Sequence, residues 1–402
     1  MYIAYDWPKV ISTEDEAGGC PEGGEHSGRS RASDGGDGML DHAMACVKAA
    51  GSVVHLRATE RLLLVVKKRS VQVWHRGMAQ VKLGEYLHSD EDAVEEGEFR
   101  AAVWNFQKKS IVVLTDRGRV YIIGLSVSSK RYALPDGVVD DPSASHLLAM
   151  DVFVRSAFRC CAAEQGMRGS LPSSLVADET TLLLGCSRGE LVAFSWNGVQ
   201  KGKMELLPPP KENSDREFDN AACVTQLQYC KSLNTTVILL QNGMCALYKL
   251  SEDGLRVKSA SSSFCWLLVG EDEHITRVSL SSSSKMLAVG TETGRLHLYN
   301  LHADLSYAKL RTITLQEWGY SADCAGPVSA LEWTEDGKAL AVLWRDAGLG
   351  VWSPFGCKLM SHMEKTATEA IVGTGEPVLG GDKRGRQLCW SPEGLQLVMN
   401  CF

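Results

Sequence analysis

One pentapeptide carries the residue types and spacing of a nucleophilic hydrolase: Gly185-Cys186-Ser187-Arg188-Gly189 matches G-x-S-x-G. Such an elbow activates its serine only when a strand precedes it and a helix follows, which holds the hydroxyl at a helix N-terminus beside an oxyanion hole. Here Leu182-Leu183-Leu184 precedes the match and Leu191-Val192-Ala193-Phe194 follows it. A second strand therefore follows the turn, and Gly189 reads as the residue that closes a hairpin. The ten histidines are scattered without ligand spacing. His297 falls within a strand pattern and His274, His302 and His362 near connections, where packing or solvation accounts for them. Walker-type phosphate loops, G-x-G-x-x-G after a strand, and H-E-x-x-H are all missing from the sequence. The thirteen cysteines include no C-x-x-C pair, and Cys160 and Cys161 are adjacent. Cys186, Cys245 and Cys389 lie in or beside apolar strands, so reduced core thiols explain them better than a zinc site or a disulfide framework. The expectation is a chain with no catalytic, cofactor-binding or metal-ligating residue of its own.

The elements around these residues repeat. An apolar strand, a polar turn that often contains glycine, and a second apolar strand ending in or near an aromatic recur along the chain. The copies are Leu62–Val66 with Val71–Trp74, Ile111–Leu114 with Val120–Ile123, and Leu182–Leu184 with Leu191–Phe194. They continue as Val237–Leu240 with Cys245–Tyr248, Met286–Val289 with Leu296–Tyr299, and Leu340–Leu343 with Leu349–Trp352. Asn242-Gly243 and Arg188-Gly189 are strong hairpin signals, because glycine takes a positive φ without a Cβ clash. The turns recur at about 50 to 55 residues, with one longer gap, which is near the period of a propeller blade.

Further short strands, Ala101–Trp104, Arg277–Leu280 and Ala330–Trp333, precede three of the hairpins. The phrase Leu388-Cys389-Trp390-Ser391-Pro392-Glu393-Gly394 opens a seventh unit that Phe402 cuts short. A lone hairpin cannot bury both faces, whereas blades stacked around an axis can. The fold expected is an all-β, WD40-like β-propeller, seven-bladed with the last blade incomplete and the ring left open there. A β-sandwich is the alternative, but its strands recur without longer-range self-similarity.

Residues 1–11 form a candidate N-terminal strand, 12–45 a disordered Gly-rich insert too poor in apolar residues to offset its ordering entropy, and 46–402 the propeller. A Pro-rich excursion, Leu207 to Arg216, fits the rim. Residues 147–174 fill the longest gap, and their pattern does not decide between a pair of strands and a short helix. The acidic run Asp90–Glu98 reads as a solvated connection between blades, or as a surface for a basic partner. Lys67-Lys68-Arg69 sits at a hairpin tip, where solvated charge is expected; contact with acidic lipid or protein is the alternative. A formal charge of −7 opposes broad nucleic-acid binding. Apolar stretches are far shorter than the ~20 residues of a membrane span. The first residues have neither the basic start nor the apolar core of a signal peptide. With a reducing compartment implied, the sequon Asn234-Thr235-Thr236 is silent.

Several phrases resemble one family, the ribosome control protein or Ric-type subunits of a Golgi exchange factor. They are Met1-Tyr2 with Trp7-Pro8, Gln80–Gly84, Glu96-Gly97-Glu98 and Ala102-Val103-Trp104. Farther on come Thr291–Tyr299 and Trp352-Ser353-Pro354-Phe355-Gly356-Cys357-Lys358-Leu359, of which the W-S-x-F-G step is the most specific. Asp6 stands where the family usually has glycine, and the Gly-rich insert departs from the pattern. Members are longer, so the chain resembles an N-terminal portion. The resemblance implies a scaffold propeller in a two-protein guanine-nucleotide exchange factor for a Rab GTPase in retrograde vesicle-mediated transport. Its partners would be a second exchange-factor subunit and the GTPase, and its place the cytoplasm and, peripherally, the Golgi membrane. Exchange would follow from tighter binding of the nucleotide-free GTPase, without a general base. The resemblance assigns no partner-binding residue. A WD40-type adaptor in a ubiquitin ligase or coat complex is the alternative, and a propeller hydrolase would need acids converging at the axis.

Overall fold

The computed structural model describes residues 6–12, 43–48, 53–59, 62–75, 82–105, 109–131, 148–160, 170–178, 180–206, 222–249, 264–270, 273–320, 325–363, 388–390 and 397–401. Two strands, β1 (Asp6–Ser12) and β2 (Ala43–Lys48), come before the first blade. Blade one is β3 (Val53–Ala58), β4 (Leu62–Lys67), β5 (Ser70–His75) and β6 (Lys82–Leu87). Helix α1 (Asp90–Glu96) leads into blade two, β7 (Phe99–Asn105), β8 (Ser110–Thr115), β9 (Arg119–Arg131) and β10 (Leu148–Arg159). Blade three is β11 (Pro172–Ala177), β12 (Thr181–Cys186), β13 (Glu190–Ser195) and β14 (Gln200–Glu205). Blade four is β15 (Val224–Cys230), β16 (Thr235–Leu240), β17 (Cys245–Lys249) and β18 (Phe264–Leu267). Blade five is β19 (Ile275–Ser281), β20 (Met286–Thr291), β21 (Leu296–Leu301) and β22 (Tyr307–Ile313). Blade six is β23 (Val328–Trp333), β24 (Leu340–Trp344), β25 (Gly348–Trp352) and β26 (Lys358–Met363). The last strands are β27 (Leu388–Trp390) and β28 (Leu397–Cys401).

Each blade is an antiparallel meander whose second and third strands are the hairpins seen in the sequence. Those strands are apolar at consecutive positions because neighbouring blades cover both faces: every residue of β8, β16, β20 and β24 is buried. The outer strands β14 (QKGKME) and β22 (YAKLRTI) cover little, and their sequences carry little apolar signal.

The blade count differs from the sequence expectation of seven. Among the described residues six complete meanders are present, and the remaining four-stranded sheet is built in another way, in the order β1-β2-β28-β27. β27 and β28 pair antiparallel, but β2 joins β28, and β1 joins β2, in parallel. A meander's short turns make only antiparallel neighbours, so this sheet is drawn from distant segments instead. Nor is the ring left open there. β27 stands between β23 and β3, with Leu388 and Trp390 packed on blade six and Cys389 in the core of blade one. Of the insert expected at 12–45, Ser12 ends β1 and residues 43–45 begin β2, and the rest lies outside the described residues, as does the Pro-rich stretch 207–216. Residues 147–174 contribute β10 to blade two and the first residues of β11 to blade three.

The six inner strands share one irregularity. Each carries a β-bulge after its first residue, at Val54, Arg100, Ser173, Thr225, Thr276 and Ser329. In blades three to six this residue is Ser or Thr, and its hydroxyl donates to a carbonyl of the blade's second strand: Gly185, Leu239, Gly290 and Leu343, at 3.0 to 3.2 Å. Ser173 and Thr276 also donate to Val224 and Val328 in the next blade. The bulge disturbs the ladder, and a short hydroxyl satisfies the carbonyl it leaves free.

Candidate functional site

The inner strands enclose an axial channel of about 700 Å³. They run side by side in one direction, as their bonds to one another show. Gln226 exchanges both amide bonds with Val278, at 2.9 and 3.2 Å, and Gln228 bonds the Val278 carbonyl and the Leu280 amide at 3.1 and 2.7 Å. Two side-chain amides thus stand in for a ladder between β15 and β19. Counting from the bulge then sorts the lining into levels. The bulge level carries Arg100; the next carries His55, Gln226 and Arg277; two residues on come Arg57, Gln228 and Glu332. Glu335, beyond the end of β23, lies at the opposite mouth from Arg100.

The charges are unevenly matched. Arg57 lies 3.7 Å from Glu332. Arg277 is tied instead to backbone, with Nε donating to the Ser329 carbonyl and Nη1 to that of Thr276, both at 2.8 Å. Burial pulls the Arg277 pKa below its usual value, yet an arginine remains charged. Burial pushes the Glu332 carboxyl up to about 7 against the opposing pull of Arg57. His55 is driven down to about 4, first by burial and then by Arg57, and its buried Nε2 has no hydrogen-bond partner among the described residues. Glu332 has the titration range of a general acid or base. Of the lining hydroxyls, those of Ser173 and Thr225 donate to backbone carbonyls, and Ser174 Oγ is buried with no partner among the described residues.

The G-x-S-x-G match has a structural explanation. A Cβ on Gly185 would lie 2.4 Å from Val224 Cγ1, so glycine lets β12 approach blade four. Ser187 Oγ accepts the Leu171 amide at 3.0 Å, and Gly189 closes the turn at φ +67°. His297 is 2% exposed, with Nε2 2.6 Å from Glu273 Oε2 and Nδ1 2.9 Å from Thr312 Oγ1. Arg295 Nη1 holds the other Glu273 oxygen at 2.7 Å. The geometry resembles a base with its orienting acid, but it is buried and knits β21 to β22 and to the approach to β19. His274 bonds the Gln241 carbonyl at 3.2 Å.

The two charged segments of the sequence meet each other. Ser89 caps α1 by accepting the Asp92 amide at 3.0 Å, and Asp90, Glu91 and Asp92 occupy the first turn, where the helix dipole favours acids. Arg69 from the basic tip reaches Asp90 at 2.7 Å and Glu98 at 3.0 Å, and Lys68 reaches Glu98 at 3.6 Å. The W-S-x-F-G step forms the β25–β26 turn at the rim. There Phe355 is 82% exposed, its carbonyl accepts from Arg311 at 3.3 Å, and Lys358 lies over the Trp318 ring at 5.0 Å. Among the described residues, no three His, Cys, Asp or Glu converge as metal ligands. Burial raises the Cys245 and Cys389 thiols to about 12.

The channel residues Arg57, Arg277 and Glu332 carry no motif, and only their register exposes them. Aligning the inner strands on their bulges puts a polar side chain at the same level in several blades, a signal that is present in the sequence once the strands are found.

No family model matches the chain. It is 20% identical over 377 residues to guanine nucleotide exchange factor subunit RIC1 of Mus musculus, covering 87% of this chain and 25% of that protein. Against the subunit of the same name from Homo sapiens it is 20% identical over 360 residues, covering 83% and 24%. The chain therefore spans about a quarter of the length of these relatives. In structure it is similar to Chaetomium thermophilum Raptor, with a TM-score of 0.56 and 11% identity over 86% of this chain and 27% of that one. At that identity the likeness is one of fold.

Proposed function

We propose that this chain is the propeller portion of a guanine-nucleotide exchange-factor subunit, a scaffold that holds a second subunit and acts with it on a Rab GTPase in retrograde transport to the Golgi. The observation that carries the reading is the distant but nearly continuous similarity to RIC1, which runs through 87% of the chain rather than through isolated blades. The architecture suits the role. An exchange factor needs surfaces that favour the nucleotide-free GTPase, and it needs no general base. The exposed Phe355 at the rim and the closed ring supply surface and geometry. On this reading the protein is cytoplasmic and peripheral at the Golgi membrane.

The test is co-purification of the 402-residue chain with the second subunit of a Golgi Rab exchange factor, followed by nucleotide release from the Rab. Association, with faster release in the reconstituted complex, supports the proposal. No association and no effect on release overturns it. Proximity labelling that recovers ligase or coat subunits in place of Rab machinery would move the chain to the adaptor reading.

A further inference from the structure

We infer that the axial channel is a binding site for a compact soluble polyanion carrying several phosphate groups, admitted through the mouth marked by Arg100. Three arginines, Arg57, Arg100 and Arg277, line one cavity of about 700 Å³, a size that suits a small ligand. The acids in the same lining are Glu332 and Glu335, and they lie toward the other mouth. Positive charge is thus concentrated at the levels of Arg100 and Arg277.

The guanidinium at the middle level is built in. Arg277 is half-buried and anchored through Nε and Nη1 to two backbone carbonyls, which fixes its plane without neutralising it. A desolvated guanidinium held by neutral partners keeps its full attraction for an anion and is preorganised for planar, two-pronged recognition of a phosphate. At the same level His55 offers a buried Nε2 with no hydrogen-bond partner among the described residues, which a phosphate oxygen would satisfy. Low-dielectric walls focus the field of these groups along the axis. A bilayer cannot enter the channel, so the ligand chemistry is that of a free polyphosphate rather than a lipid headgroup. The inference is independent of the exchange-factor reading.

The experiment is titration calorimetry of the whole chain with inositol hexakisphosphate and with pyrophosphate. Sulfate and vesicles containing phosphatidylinositol bisphosphate serve as comparisons. Saturable one-site binding of a polyphosphate is expected, weakened about tenfold by Arg277→Gln, where a charged hydrogen bond is lost. Arg100→Gln, at an exposed residue, should weaken it at least threefold and carries the test if the Arg277 variant does not fold. Above pH 7, where the carboxyl is ionised, Glu332→Gln should tighten binding several-fold by removing a like charge, and the His55 imidazole should titrate higher in the complex. The rim variant Arg311→Gln should leave binding unchanged. Absence of saturable binding, equal loss in Arg311→Gln, or vesicle binding as tight as that of the free polyphosphate would each overturn the inference.

Discussion

Arg69 Nε donates to Glu98 Oε1 across 3.0 Å, joining the hairpin tip of blade one to the residue that precedes β7. Two segments that read in sequence as solvated charge, with an external partner as the alternative for each, are therefore partners of each other. Asp90 takes a second nitrogen of the same guanidinium at 2.7 Å, which fixes the start of α1 against the tip. The charge left for an external partner is smaller than the sequence suggests.

Both side chains are partly exposed, at 51% and 34%, so solvent screens the pair. Arg69→Ala should cost only ~0.5 to 1 kcal/mol at low ionic strength and less in concentrated salt. Denaturant midpoints at two salt concentrations check this. A loss above ~2 kcal/mol, or one that salt leaves unchanged, would mean the guanidinium acts through packing.

Gly185 and Ser187 separate the two meanings of the G-x-S-x-G pattern. Gly185→Ala forces a Cβ to within 2.4 Å of both Val224 Cγ1 and Ser174 Oγ, and overpacking of this kind should cost ~1 to 3 kcal/mol. Ser187→Ala removes one hydrogen bond to the Leu171 amide and should cost ~0.5 to 1.5 kcal/mol. Thermal unfolding of both variants gives the order. A catalytic elbow would predict a serine change that is silent for stability, and a Ser187→Ala variant as stable as the unaltered protein would reopen that reading.

The six hairpins were legible because their strands are buried on both faces, so apolar residues such as Leu62 to Val66 run without interruption. β14 and β22 were not, because a solvated outer strand such as Gln200–Glu205 follows no pattern that distinguishes it from a loop. The parallel pairing of β2 with β28 depends on two segments far apart in the chain, and no local signal encodes it. The channel was invisible for a related reason: Arg57, Arg277 and Glu332 come from separate blades, and only closure of the ring places them around one axis.

Glu332 should make the fold lose stability as pH rises. Its carboxyl titrates at about 7 in the folded chain and near 4.5 when unfolded, so between these values the folded state holds the extra proton. Stability therefore falls from about pH 4.5 to about 7, by on the order of 3 kcal/mol at most, and stays reduced above that. Glu332→Gln removes this dependence. Its denaturant midpoint should match that of the unaltered protein near pH 4.5 and exceed it above pH 7; parallel curves would show that Arg57 keeps the carboxyl ionised throughout.

His55 works in the opposite direction. Its folded pKa of about 4 lies below the unfolded 6.5, so the unfolded chain takes up the proton first and stability declines as pH falls from about 6.5 to about 4. His55→Gln should flatten this acid limb, each variant being compared with its own stability at pH 8. An unchanged limb would place the acid sensitivity elsewhere, and a histidine signal titrating near its ordinary value would show that the ring is hydrated.

Glu273 is the member of the His297 knot whose loss should matter most. Burial alone would raise its carboxyl, but the hydrogen bonds and charges of Arg295 and His297 outweigh it and hold the carboxyl below its ordinary value. His297 moves down as well, because burial outweighs the pull of Glu273. Glu273→Ala leaves the buried His297 Nε2 without its 2.6 Å partner and should cost ~2 to 4 kcal/mol, whereas Arg295→Gln, at a side chain 54% exposed, should cost under ~1 kcal/mol. Because the Glu273 pKa is depressed on folding, its contribution is present above the unfolded value near 4.5 and fades as pH falls through the folded one. Chemical unfolding at neutral and acid pH measures both effects. If Glu273→Ala and Arg295→Gln cost the same at neutral pH, the cluster is an exposed ion pair and not the buried joint between β21, β22 and the approach to blade five.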